Sequence, residues 1–149
     1  MAEGTMDSIE VKASPDQVFS VAADLAAYPE WATGVKTIEI LETDPEGRAA
    51  RARFVVDGMV KEITYVLEYQ YNPPGQMTWV AEPGPDVKEL EGSYTFTLTP
   101  DGRTEVVYAL RVEPGFTVPG FLRRQAEKQL VGTALRGLRR RTELVYGAS

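Results

Sequence analysis

A chain of 149 residues with 43% apolar and 26% charged side chains is long enough for one well-filled core and short for two. It has no cysteine and no histidine, which excludes a disulfide framework, a thiolate or imidazole metal site, a cysteine nucleophile and the commonest general base. The net charge of −6 is unevenly spread: residues 118–146 hold seven basic side chains against two acidic ones, a net of +5, so the remainder carries −11.

The basic element reads as a solvated helix face turned toward acidic strands, with a nucleic-acid or acidic-membrane surface as the alternative. No basic start followed by an apolar stretch opens the chain, and no run approaches the ~20 apolar residues that span a bilayer. The expectation is a cytoplasmic protein without a transmembrane segment, forming one domain over 1–149 with an ordered core over about 5–146.

The first strand is expected over Thr5–Ala13, with Ile9, Val11 and Ala13 on one face. Ser14 then supplies an N-cap, Pro15 a first helical residue and Asp16 a first-turn acid, which predicts a helix over Pro15–Leu25 burying Val18, Phe19, Ala22 and Leu25. The stretch AYPEWATG follows as a connector carrying Tyr28 and Trp31. Pro29 disfavours helical backbone at Tyr28, so a break is expected there. Trp31 is read as a plug sealing this corner against the sheet and the last helix, at the end where a ligand would enter.

From Val35 the period changes to two. VKTIEILETD, RAARARFVVDG, MVKEITYVLEYQYN, QMTWVAEPG, KELEGSYTFTLTPDG and RTEVVYALRVEPG each read as a strand, separated by Gly- and Pro-bearing turn signals such as DPEG, NPPG and EPGPD. Six strands joined by short turns predict an antiparallel meander. The closing stretch after Pro119–Gly120 projects Ala126, Leu130, Val131, Ala134, Leu135, Leu138 and Val145 onto one side of a long amphipathic helix. The fold class is therefore α+β: a curved antiparallel seven-stranded sheet wrapped around a long C-terminal helix, with short helical structure between strands one and two.

Three stretches, SPDQVFSVAADLAAYPEW, EGSYTFTLTPDGRTEVVYALRV and PGFLRRQAEKQLVGTALRGLRRR, resemble the polyketide cyclase/dehydrase and lipid-transport branch of the SRPBCC, or START-like, superfamily, in particular its uncharacterised actinobacterial members. The resemblance covers about residues 5–146. It implies the helix-grip fold, with two short helices between strands one and two, and a hydrophobic ligand cavity between sheet and long helix.

Alternation assigns Ile63, Tyr65, Leu67 and Tyr69 to the inward face of one strand, and Met77, Trp79 and Ala81 to that of the next. Tyr94, Phe96 and Leu98 follow, then Val106, Tyr108, Leu110 and Val112. Such a wall, apolar with several hydroxyls, has the composition of a small-molecule pocket, although the same side chains can simply fill a core. On the last helix Arg123 and Glu127, four residues apart, project toward the apolar side, where they can orient a ligand at a cavity mouth or form a surface ion pair. Arg51 and Arg53 alternate with inward residues and are expected outside. The candidate ligand-binding set is thus Trp31, Tyr65, Leu67, Tyr69, Trp79, Tyr94, Phe96, Tyr108, Leu110, Arg123, Glu127 and Leu130.

Three functions remain open at this level. A carrier or sensor of a hydrophobic small molecule, lipid or polyketide-like, needs only aromatic walls and a few orienting donors. A polyketide cyclase or dehydrase needs in addition a base for an acidic α-proton and a donor for the enolate; a buried Glu with Tyr and Arg donors could supply these, but no catalytic motif is visible. An interaction protein would use the basic helix. There is no phosphate-cradling glycine loop and no metal-ligand cluster, so no cofactor is expected; a chain this acidic predicts no nucleic-acid partner, and a homodimer is allowed.

Overall fold

In the computed structural model, residues 4–58 and 61–146 are described. Seven strands form one antiparallel sheet in the order β1-β7-β6-β5-β4-β3-β2. They are β1 (Thr5–Val11), β2 (Val35–Thr43), β3 (Ala49–Asp57), β4 (Glu62–Asn72), β5 (Gln76–Ala81), β6 (Val87–Leu98) and β7 (Thr104–Pro114). The meander runs from β2 to β7, and β1 closes onto β7 with Ile9 opposite Val106 and Val11 opposite Thr104. Short turns and period-two alternation force this arrangement. The start expected for the fourth strand at Met59 lies outside the described residues.

Because β1 and β2 occupy opposite edges, the chain between them must cross a face of the sheet. It does so as α1 (Pro15–Ala23), a 3₁₀ turn over Leu25–Ala27, and α2 (Tyr28–Trp31). Ser14 caps α1 reciprocally: its hydroxyl accepts from the Gln17 N–H while the Gln17 side chain accepts from the Ser14 N–H. The first helix ends at Ala23, two residues short of expectation, yet Leu25 is still buried with Val18, Phe19 and Ala22.

The expected break at Tyr28 does not occur. Tyr28 is helical, with φ −53° and ψ −41°, and α2 begins on it. Pro29 falls in the first turn, where its missing N–H has no carbonyl to serve, so the local bias against helix is overridden.

The long helix α3 (Gly120–Tyr146) buries Val131, Leu135, Leu138 and Thr142 and packs chiefly on β1, β7 and α1. Its buried stripe is narrower than expected: Leu130, 48% exposed, and Val145 stand off it. Leu130 lies ~100° around the helix from Val131, far enough to leave the contact. Leu98 is a second departure, 62% exposed at the end of β6. The neighbouring β5 begins at Gln76 opposite Thr95, so Leu98 overhangs it with nothing to pack on.

The convex face carries ion pairs rather than apolar contacts: Arg51 with Glu82 and Glu42, Arg53 with Glu39, Arg111 with Glu89 and Glu91. Arg51 and Arg53 thus point outward as alternation predicts. The acidic strands pair largely with cations of the sheet itself. Among the described residues only Arg141 of α3 forms an ion pair, with Glu30 of α2, so the basic helix does not face acidic strands.

Candidate functional site

On the concave face the inward residues of β4 to β7 assemble a continuous aromatic cluster. Trp79 is its centre, with ring centroids 5.6 Å from Tyr69, 5.3 Å from Tyr94 and 5.7 Å from Tyr108. Tyr94 and Tyr108 lie 4.7 Å apart, and Tyr94 stacks on Phe96 at 5.7 Å. Phe96 meets Phe19 of α1 edge-on, and Tyr65 stacks on Phe54 at 5.4 Å. Each such pair contributes about 0.5–1.5 kcal/mol beyond the burial of its area.

The indole of Trp79 has this position because its partner in register is Gly92. A Cβ on Gly92 would stand 2.3 Å from the indole nitrogen, inside van der Waals contact, so only a residue without a side chain lets the ring lie on the strand. Leu110, buried on the far side of Gly92, and Leu67, buried between Ala52 and Ala81, complete the apolar floor.

The phenols are the polar features of this wall. Tyr28 donates to the Ala22 carbonyl and Tyr71 to the Ala49 carbonyl. By contrast, Tyr65, Tyr69, Tyr94 and Tyr108 make no side-chain hydrogen bond among the described residues, and their hydroxyls are not among the buried atoms sealed from a water-sized sphere, which are Trp31 Nε1 and Thr142 Oγ1. These four hydroxyls are therefore left to water or to a ligand.

Burial pushes all four phenols above the ordinary value of 10.0. At Tyr69 the neighbouring phenols of Tyr28, Tyr65, Tyr71 and Tyr108 push further in the same direction, and at Tyr108 those of Tyr94 and Tyr65 do so. All remain protonated near neutral pH, so they act as hydrogen-bond donors and acceptors and not as bases.

Trp31 is joined through Tyr28 to the Phe54–Tyr65 stack, the Tyr28 and Phe54 rings lying 6.3 Å apart. Its ring packs edge-on against Tyr28 at 5.0 Å and against Gly137 of α3, whose Cβ would lie 3.4 Å from the indole. It joins α2 to α3 as the plug expected of it. Its indole N–H is sealed without a partner.

Glu127 is 3% exposed, and its two carboxylate oxygens are committed to the fold. Thr5 of β1 donates its hydroxyl to Oε1 at 3.1 Å, and the Val112 N–H of β7 donates to Oε2 at 2.9 Å. The expected pairing with Arg123 is absent among the described residues; Arg123 is half-buried one turn earlier. Leu130 lies two turns before Gly137 on the same flank of α3 and is largely exposed.

Two recesses open elsewhere. One, of about 370 Å³, is walled by Phe19, Leu25, Ile40 and Arg48, with the Arg48 guanidinium 5.3 Å above the Phe19 ring. The other, of about 480 Å³, lies on the outer face around Arg51, Gln70 and Thr78. The sequence reading passed over Phe19, Arg48, Tyr71 and Gly92 as site residues. Of these only Gly92 carried a signal: a glycine inside the strand EGSYTFTL marks a close approach.

No curated protein sequence matches this chain. Solved structures similar to it include a START superfamily protein from Mycobacterium smegmatis, 22% identical over 95% of this chain and 98% of that one, with a TM-score of 0.87. The Zhui aromatase/cyclase from Streptomyces sp. R1128 is 18% identical over 96% and 94%, at 0.80. A STAR-related lipid transfer protein from Xanthomonas axonopodis is 21% identical over 94% and 85%, at 0.71. At such identities the likeness speaks for the fold, which is the helix-grip arrangement. Residues 11–139 match the family described as polyketide cyclase / dehydrase and lipid transport, and the chain belongs to that family.

Proposed function

We propose that this protein binds a small, mostly apolar but oxygen-bearing molecule between the concave sheet and α3, as a carrier or sensor. The observation that supports this reading is the set of four inward phenols, Tyr65, Tyr69, Tyr94 and Tyr108, which line an aromatic wall and have no protein partner among the described residues. A saturated acyl chain gives such groups nothing to bond, whereas a carbonyl- or phenol-bearing ligand satisfies them. Trp79, Phe96, Leu67 and Leu110 supply the apolar contact, and Arg123 and Leu130 stand at the flank of α3 where the ligand enters.

The same phenols favour a second reading. A protonated phenol aimed at a carbonyl oxygen stabilises an enolate, the need of a polyketide cyclase or dehydrase. What weighs for the carrier is the lack of a matching base: the chain has no histidine, and the carboxylate of Glu127 is already occupied by Thr5 and Val112.

Binding of an anthraquinone-type phenol and of palmitate, followed by quenching of tryptophan fluorescence, tests the proposal. The phenolic probe is expected to bind more tightly than palmitate, and Tyr94→Phe with Tyr108→Phe to weaken it about tenfold while leaving palmitate unchanged. Failure of both probes with the fold intact overturns it. Turnover of a β-polyketone analogue, slowed by Tyr94→Phe without loss of binding, replaces carrier by enzyme.

A further inference from the structure

From Gly115 to Thr142 the single acidic residue is Glu127, and it is buried. Up to Thr142 the exposed charges of α3 are cations: Arg124, Lys128, Arg136, Arg139 and Arg140 are all exposed, and none of them forms an ion pair among the described residues, while Glu143 near the C-terminal end accepts from the Lys12 N–H. Lys128, Arg136 and Arg139 recur near one line along the helix, in register with Phe121 at its start, over about 27 Å. Elsewhere among the described residues most cations pair with carboxylates, Lys12, Arg48 and Lys88 excepted, so this stripe is a concentrated unpaired positive surface on a chain whose remainder carries −11.

The start of the same helix is apolar and exposed. Phe121 is 63% exposed, and Leu122 and Phe116 are each 39% exposed. The Lys61 ammonium, paired with Asp86 at 2.9 Å, lies 5.3 Å from the Phe116 ring. Side chains of this kind, apolar at one end and cationic along the length, match the boundary between acyl chains and anionic headgroups. The surface is one convex helix, and both recesses described above lie away from it. A fluid surface accommodates that shape, whereas a folded acidic partner needs a complementary groove.

We propose that the outer face of α3 docks the protein on an anionic membrane surface, with Phe116, Phe121 and Leu122 inserted and Lys128, Arg136 and Arg139 lying over the headgroups. The acidic body is repelled by the same surface and fixes the orientation, with α3 toward the lipid. This does not depend on what the concave face binds.

Cosedimentation of the full chain with vesicles of phosphatidylcholine plus phosphatidylserine, and of phosphatidylcholine alone, at about 0.1 M salt tests it. Binding is expected to the anionic vesicles only and to disappear at about 0.5 M salt. The triple change Lys128→Glu, Arg136→Glu, Arg139→Glu should lower it at least about tenfold, and Phe121→Ser with Leu122→Ser several-fold. Circular dichroism establishes that the variants fold, and the salt series on the unaltered chain tests the electrostatic part without any variant. Equal binding to both vesicles, or no binding to either, overturns the proposal. So does capture by soluble poly-glutamate that is as strong as capture by vesicles and indifferent to the Phe121 and Leu122 changes, the behaviour of a site for an acidic protein.

Discussion

From Val131 onward α3 buries Val131, Leu135, Leu138 and Thr142 at three- and four-residue spacing, whereas from Gly120 to Leu130 the same helix shows Phe121, Leu122 and Leu130 to solvent and buries Glu127 alone. The difference comes from what stands opposite. The second half has the Trp31 plug of α2 against its Gly137, while β1 runs along both halves, from Thr5 beside Glu127 to Lys12 beside Glu143. The first half is fastened by two hydrogen bonds to one carboxylate, at Thr5 and Val112. One half is thus held by a buried apolar stripe and the other chiefly by hydrogen bonds to one carboxylate, and a helix end with few buried contacts opens more easily than one held along its length.

The largest effect that sharpens this contrast is alkaline. If the loosely covered part of the sheet admitted water freely, its phenols would ionise near 10.0, their ordinary value. Burial instead raises Tyr65, Tyr69, Tyr94 and Tyr108 above it. Their contribution to stability is then complete below about pH 10 and is lost as pH rises toward the folded values, at about 1.4 kcal/mol per phenol per pH unit. A tyrosinate absorbance titration should show these four ionising together with unfolding; ionisation near pH 10 in the folded protein would contradict the burial.

Next come truncations in the two halves. Leu138→Ala should cost about 2–5 kcal/mol in urea denaturation, and Leu122→Ala no more than about 0.5 kcal/mol. Similar losses at both positions would erase the distinction between the halves. Smaller is Glu127→Ala at the boundary, expected to cost about 1–3 kcal/mol by leaving the Val112 N–H unpaired. Amide exchange at Val112 should accelerate while that at Leu138 does not; a uniform change would mean that the carboxylate is no local fastener.

The strands were legible because period-two alternation and glycine-bearing turns are local properties, and each expected strand lies within a few residues of its place. Inward Tyr69, Trp79, Tyr94 and Tyr108 followed from the same parity. What alternation cannot supply is the extent of the neighbouring element. Leu98 points the expected way but overhangs β5, and Leu130 flanks a stripe whose width depends on where α2 stops. Tyr28 departs from expectation because a proline in the first turn of a helix escapes the dipeptide preference against helix before it. Glu127 was noticed as a carboxylate on an apolar side, but its partners lie 122 residues away at Thr5 and 15 away at Val112, beyond the reach of any pattern along the helix.

The bare stretch of backbone at Gly92 makes Trp79 a depth gauge for the concave face. Because the indole rests directly on the peptide of β6, its thickness alone separates the cluster from the floor of the sheet. Exchange of this one side chain for a smaller one would lengthen the accessible space down to that floor without moving a strand, whereas a side chain introduced at position 92 would lift the ring and shorten it. The height of the cluster above the sheet is, at this point, a matter of two facing residues.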